Sequence, residues 1–299
     1  MLSTIEAVNS VVNNFIWGVP AMICIIGVGL YLSIRTRFLQ IRKFPYSMKV
    51  TLGRMMKKKE ASDGALTPFQ AVCTALAATV GTGNVAGVAG AIAIGGPGAV
   101  FWMWITALIG SSTAFIEATL AQLYKEKDPL YGGYRGGPAY YIHRYWEEKQ
   151  GRKRKKVLLS VLFAISGLIC WCGISQVISN SVTASFKNAF DIPPMYTTIV
   201  LVVIAAVIVL RKNATVKVLD LLVPVMAVLY FVITLFIIFT NLGSMPGVFK
   251  RIFEEAFGFR QAVAGGFGVV LMNGVKRGLF SNEAGSGSAP CAAAAAECD

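Results

Sequence analysis

The sequence predicts an all-α polytopic membrane protein, and three observations point that way. Hydrophobic residues make up 55% of the 299 and charged residues only 14%, with a mean hydropathy of +0.62, whereas a soluble domain carries about 25% charge. The apolar residues gather in runs that suffice to cross a bilayer, which takes roughly 20 residues of helix. Backbone groups in hydrocarbon must bond within their own segment, so such runs are helices. Basic residues, finally, alternate from loop to loop. The 35–67 loop holds nine Lys and Arg, 125–156 holds ten and 211–217 holds three, whereas the loops between them hold only Lys187, Lys250, Arg251 and Arg260. Basic loops stay in the cytoplasm, which puts the N-terminus outside. The formal net charge of +13 then reflects orientation and anionic lipid, and no nucleic-acid partner is expected.

The elements follow in order. A short leader, Met1 to Asn13, precedes a first apolar segment at 14–34, expected as a peripheral leading helix. Five further segments, 68–94, 98–124, 157–180, 196–210 and 215–240, form a first five-helix repeat over 68–240. A seventh, 261–296, begins a second repeat that runs to 299 within one membrane domain. Segments two and seven are five spans apart and oppositely directed, and both are long and rich in Gly, Asn, Ser and Thr. That is the relation of the first helices of two inverted repeats. The chain therefore reads as the N-terminal part of a longer fold, lacking about four helices, or as an unusual short form. The 131–141 stretch is expected as an interfacial loop, and His143 as a cytoplasmic loop residue without a role. The six cysteines show no CxxC pair and read as small buried hydrophobes.

Segment two contains Thr79-Val80-Gly81-Thr82-Gly83-Asn84-Val85-Ala86-Gly87. Glycine inside a helix costs about 1 kcal/mol relative to alanine, so the pair weakens the span here. An unwound turn exposes N–H groups to a carboxylate and carbonyls to a cation, and Asn84 adds a neutral oxygen. Gly83 and Gly87 also match a close-packing face. Segment seven contains Gly274-Val275-Lys276-Arg277-Gly278-Leu279-Phe280-Ser281-Asn282-Glu283-Ala284-Gly285-Ser286-Gly287. Such backbone is tolerated at membrane depth only against protein or water, with Lys276, Arg277 and Glu283 lining an aqueous path or pairing with one another; an extramembrane loop over 274–290 is the plainer reading. Gln176 and Asn180 share a face of segment four. They either reach a substrate ammonium or bond a neighbouring helix. Glu117, inside segment three, is either a gate residue or a structural acid.

These motifs resemble the alanine or glycine:cation symporter family, of the leucine-transporter-type fold. The resemblance rests on Thr74-Ala75-Leu76-Ala77-Ala78-Thr79-Val80-Gly81-Thr82-Gly83-Asn84, on Arg277-Gly278-Leu279-Phe280-Ser281-Asn282-Glu283-Ala284-Gly285, and on Tyr134-Arg135-Gly136-Gly137-Pro138-Ala139-Tyr140-Tyr141. It implies a 5+5 inverted-repeat fold with one extra leading helix. It also implies sodium as coupling ion, with no other cofactor, and a small neutral amino acid as substrate. Carried over, it assigns the substrate to Gly81, Thr82 and Gly83 together with Phe280 and Asn282. Sodium falls to the Ala77 and Val80 carbonyls and to Thr79 with Asn84.

The expected function is sodium-coupled symport of alanine, glycine or D-alanine into the cell by alternating access. The expected location is the plasma membrane of a bacterium (its inner membrane), as a monomer when full length. A proton-coupled carrier is the alternative. An ion channel would show symmetric pore loops and subunit assembly. An enzyme is disfavoured, since the sequence holds no His/Cys metal cluster and no His-based triad around the lone His143.

Overall fold

Thr67 shows how local sequence sets these helices. Its hydroxyl accepts from the Gln70 N–H at 3.2 Å while the Gln70 side chain accepts from the Thr67 N–H at 3.0 Å. Pro68 follows at the first helical position. This capping box satisfies two donors that a helix start leaves open. The computed structural model describes residues 2–16, 18–55, 66–129, 132–153, 156–210, 214–257 and 266–296.

The leader forms α1 (Leu2–Ile16), followed by α2 (Val19–Arg35) and two short helices, α3 (Leu39–Arg42) and α4 (Phe44–Met55). Segment two is two helices, α5 (Pro68–Thr79) and α6 (Thr82–Gly95). Segment three is α7 (Gly98–Leu123). A small hairpin of β1 (Glu126–Lys127) and β2 (Tyr134–Arg135) leads into α8 (Pro138–Gln150). Then come α9 (Leu158–Phe190), α10 (Pro194–Leu210), α11 (Ala214–Thr240) and α12 (Met245–Ala256). Segment seven is again two helices, α13 (Gly266–Asn282) and α14 (Ser288–Ala295). Among the described residues three helical stretches are long and apolar enough to span a membrane: α7, α9 and Leu221–Thr240 of α11. Three more, α2, Gly83–Gly95 of α6 and α10, are apolar but shorter.

Several expectations need correcting. The 131–141 stretch is not a plain loop, because β2 pairs with β1 and α8 begins at Pro138. His143 lies on α8, with its Nε2 3.4 Å from Glu147. Segment four runs past residue 180, since α9 stays helical to Phe190 and stops at Asp191, in the left-handed region at φ 54°. Residues 274–282 are helix, so among the described residues the interruption of segment seven is confined to 283–287. Among the described cysteines only Cys73 is buried, while Cys24, Cys170 and Cys172 are exposed on apolar helices. Apolar composition does not by itself say which side chains face protein.

The helices sort into two compact units. Met1–Leu52, Gly83–Ile116 and Ile237–Gly285 form one; Gly53–Thr82, Glu117–Phe236 and Ser286–Asp299 form the other. In the first, Met22 of α2 packs with Val275 and Leu279 of α13, and Ala91 of α6 with Ala99 and Met103 of α7. Ser112 of α7 donates to the Gly29 carbonyl of α2 at 2.9 Å, close to the buried Ser33. In the second, α14 packs on α5, and α9 on α8 and α10.

Candidate functional site at two broken helices

The α5 ladder closes where the Val80 N–H donates to the Leu76 carbonyl at 2.7 Å. The Ala77, Ala78 and Thr79 carbonyls come after that bond, in the open last turn that every helix leaves. Val80 turns out of the helix at φ −89°, ψ 85°, and Gly81 is exposed. At Thr82 the chain is helical again. The Thr79 hydroxyl donates to the Ala75 carbonyl at 2.9 Å, so toward anything else it acts as an acceptor. The first turn of α6 presents N–H groups that have no partner in their own helix, together with the positive end of the helix dipole.

The second break needs left-handed backbone. Glu283 has φ 52°, Gly285 φ 90° and Gly287 φ 89°, and the two glycines hold these angles without the strain a Cβ would bring. The hydroxyls of Ser286 and Ser288 lie 3.0 Å apart across it.

Within the first unit the start of α6 meets the end of α13. A Cβ added at Gly83 would stand 3.2 Å from Phe280 Cδ1 and 3.3 Å from Ser281 Cα, and one at Gly95 would stand 3.2 Å from Asn273 Cβ. Hence α6 and α13 run antiparallel, and the positive start of α6 lies beside the negative end of α13. The Asn282 amide donates to the Thr106 carbonyl of α7 at 3.3 Å, over a Gly110 that leaves room for it. Gly274 and Gly278 let α13 lie against α7. A Cβ at Gly274 would come 2.6 Å from the Ala99 carbonyl oxygen, and one at Gly278 would come 3.1 Å from Met103 Cα.

Within the second unit α14 lies antiparallel to α5, for the Leu66 N–H donates to the Ala295 carbonyl at 3.1 Å. The α14 carbonyls are held by side chains from the end of α7. Gln122 donates to those of Ala293 and Ala296, and Lys125 Nζ to that of Ala296 at 3.0 Å. Lys125 also sits 4.3 Å over the Tyr134 ring. Glu117 lies near Tyr141 of α8, whose phenol is pushed well above its ordinary range by burial first, then by the Glu117 carboxylate and the Cys291 thiol.

Of the residues named from sequence, Gly83 and Phe280 are brought into contact, and Asn84 and Asn282 belong to the same unit. Asn84 is half-buried and Phe280 is 37% exposed. Ala77, Thr79, Val80, Gly81 and Thr82 belong to the other unit, as do Gln176 and Asn180, which are exposed on α9. Sequence reasoning missed Thr106 and Gly110. Their signal is a small pair one turn apart in segment three.

Comparison with known proteins decides the family. A family model described as the sodium:alanine symporter family matches residues 2–299. The chain belongs to the sodium:alanine symporter family. It is 40% identical to the sodium/alanine symporter AgcS of Methanococcus maripaludis, over 99% of this chain and 64% of that protein. It is 41% identical to the probable sodium/glutamine symporter GlnT of Bacillus subtilis, over 99% of this chain and 60% of the relative. To the putative sodium/proton-dependent alanine carrier protein YrbD of Bacillus subtilis it is 44% identical, over 95% of this chain and 56% of the relative. The chain thus spans about three fifths of the length of these symporters. Membership makes it a member of a transport family and not of an enzyme family, and the apolar helices fit a multi-pass membrane protein.

Proposed function

We propose that the protein takes part in sodium-coupled uptake of a small neutral amino acid, with alanine first and glycine or D-alanine next. One observation carries the proposal: in one unit the start of α6, at Gly83, lies beside the end of α13, at Phe280 and Ser281. A zwitterion needs an electropositive and an electronegative partner close together. A helix N-terminus supplies the first and a helix C-terminus the second, each about half an elementary charge. The substrate carboxylate sits at the N–H of Gly83, with Phe280 against the apolar part and Asn282 at the edge; the family resemblance adds Gly81 and Thr82, the two residues before Gly83 in the chain. The family resemblance assigns sodium to the Ala77 and Val80 carbonyls and to the oxygens of Thr79 and Asn84, all of them hard oxygen donors. The wider architecture is a leucine-transporter-type inverted repeat working by alternating access, in the plasma membrane with the basic loops in the cytoplasm.

Proton coupling is a second reading. The relative YrbD is named as sodium/proton-dependent, and Glu283 places a carboxyl in the second break. Proteoliposomes holding the full-length protein separate the two. Radiolabelled alanine accumulates under an inward sodium gradient at equal pH if the first reading holds. Accumulation that follows only a pH gradient selects the second, and competition by glutamine but not glycine would move the substrate assignment toward that of GlnT. No amino-acid uptake under either gradient overturns both.

A further inference from the structure

The second unit carries a groove that the proposed site does not include. Between the end of α7, the outer face of α8 and the start of α9 lies an open groove of about 350 Å³. Leu120, Tyr141, Tyr145, Trp146 and Leu159 line it, and its wall is almost wholly apolar. Tyr145 and Leu159 are each more than half exposed, so the groove is open rather than sealed.

Its position and its charge say what fills it. The stretch 124–157 joins two membrane-length helices, α7 and α9, so the end of one and the start of the other lie on the same membrane face. Tyrosine and tryptophan collect at that depth, where the ring is in the apolar zone and its polar tip in the headgroups. The polar side of α8 continues into a basic run. From 144 to 156 there are seven Lys and Arg against two acids, Glu147 and Glu148. Glu147 is engaged by Arg144 at 3.2 Å and Glu148 accepts from the Tyr124 hydroxyl at 3.1 Å. Lys149 Nζ lies 5.6 Å over the Trp146 ring, directly at the groove, and Arg152, Lys153 and Lys156 beyond it are exposed. An apolar slot at the interface, rimmed by cations, matches a molecule with an acyl chain and an anionic headgroup.

We infer that the α7–α8–α9 groove is a binding site for an anionic phospholipid of the cytoplasmic leaflet. One acyl chain lies along Tyr145, Trp146 and Leu159, and the phosphate is met by Lys149 and the basic run that follows. The site steadies α8, and with it the α7 end that holds the carbonyls of α14.

Native mass spectrometry of the detergent-purified protein, titrated in turn with phosphatidylglycerol and phosphatidylcholine, tests it. The wild type should bind phosphatidylglycerol in preference to phosphatidylcholine. Lys149→Gln, an exposed change that leaves the fold alone, should weaken phosphatidylglycerol about five-fold, the value of one basic residue near an anionic headgroup. It should weaken phosphatidylcholine less, because the choline cation offsets that lipid's phosphate. Leu159→Trp, which fills the slot and keeps every charge, should weaken both lipids. Equal binding of the two lipids by the wild type overturns the inference. So does a Leu159→Trp protein that melts like the wild type and still binds phosphatidylglycerol with wild-type affinity.

Discussion

Gly83→Ala tests the site through two effects that oppose each other in stability but not in function. The new Cβ stands 3.2 Å from Phe280 Cδ1 and 3.3 Å from Ser281 Cα, so a few tenths of an ångström must be yielded. The ring can turn but the backbone carbon cannot, which puts the cost at about 1 kcal/mol, the low end for overpacking. Against it stands the gain from replacing glycine inside α6, also about 1 kcal/mol. Folding stability should therefore hardly change. Transport should change, because the first turn of α6 is pushed away from the end of α13. A 1 Å error at a positioned group can cost about 100-fold, so a shift of about 0.3 Å costs about four-fold. The assay is initial alanine uptake at fixed sodium beside thermal melting in detergent, with Gly90→Ala as control, since a Cβ at Gly90, in the same helix, meets nothing within 4 Å. A Gly83→Ala protein with wild-type uptake and a lowered melting point would show that Gly83 serves packing alone, and the reasoning would fail.

Other outcomes follow from the same geometry. Asn84→Ala should raise the sodium concentration for half-maximal uptake several-fold while the melting point holds; unchanged sodium dependence removes Asn84 from the ion site. Gly98→Ala places a Cβ 2.5 Å from the Ala256 backbone nitrogen. Nothing there can rotate aside, so it should cost about 2–3 kcal/mol, read as a clear fall in melting temperature. Lys125→Gln removes the cation from the α14 carboxyl end and from the Tyr134 ring. The expected loss is about 1 kcal/mol, or ~2 °C in melting temperature, and it should shrink at high salt.

The long elements were legible because their signal is redundant. The apolar segments at 98–124 and 215–240 have helices within a residue of those bounds, α7 and α11. Both interruptions were also legible, but their extent was not. In segment seven glycine does two jobs that sequence does not separate. Gly274 and Gly278 let α13 approach α7 and stay helical, whereas Gly285 and Gly287 take left-handed angles and end the helix. The same doubleness holds in segment two, where Gly83 is both the start of a helix and a close contact. The short helices α4, α8 and α12 went unread because a search for spanning runs passes over amphipathic ones. Trp102 shows the consequence: its indole donates to the Ala256 carbonyl at the end of α12 at 2.8 Å, a long-range bond that no local pattern announces.

Why the site should rest on helix ends, when Lys276 and Arg277 lie in the same helix as Phe280, follows from magnitude. A carboxylate 4 Å from a full charge gains about 4 kcal/mol at an effective dielectric of 20, and about half that from a helix terminus. The difference, about 2 kcal/mol, is a factor of roughly 30 in affinity. A carrier must release its substrate on the far side in every cycle, so the weaker partner suits it. The full charge of a sodium ion is better placed as a visitor, raising substrate affinity when it binds and lowering it again when it leaves. On the proposed reading, partial charges fixed by the fold and a removable full charge are what tie the uptake of amino acid to the gradient of the ion.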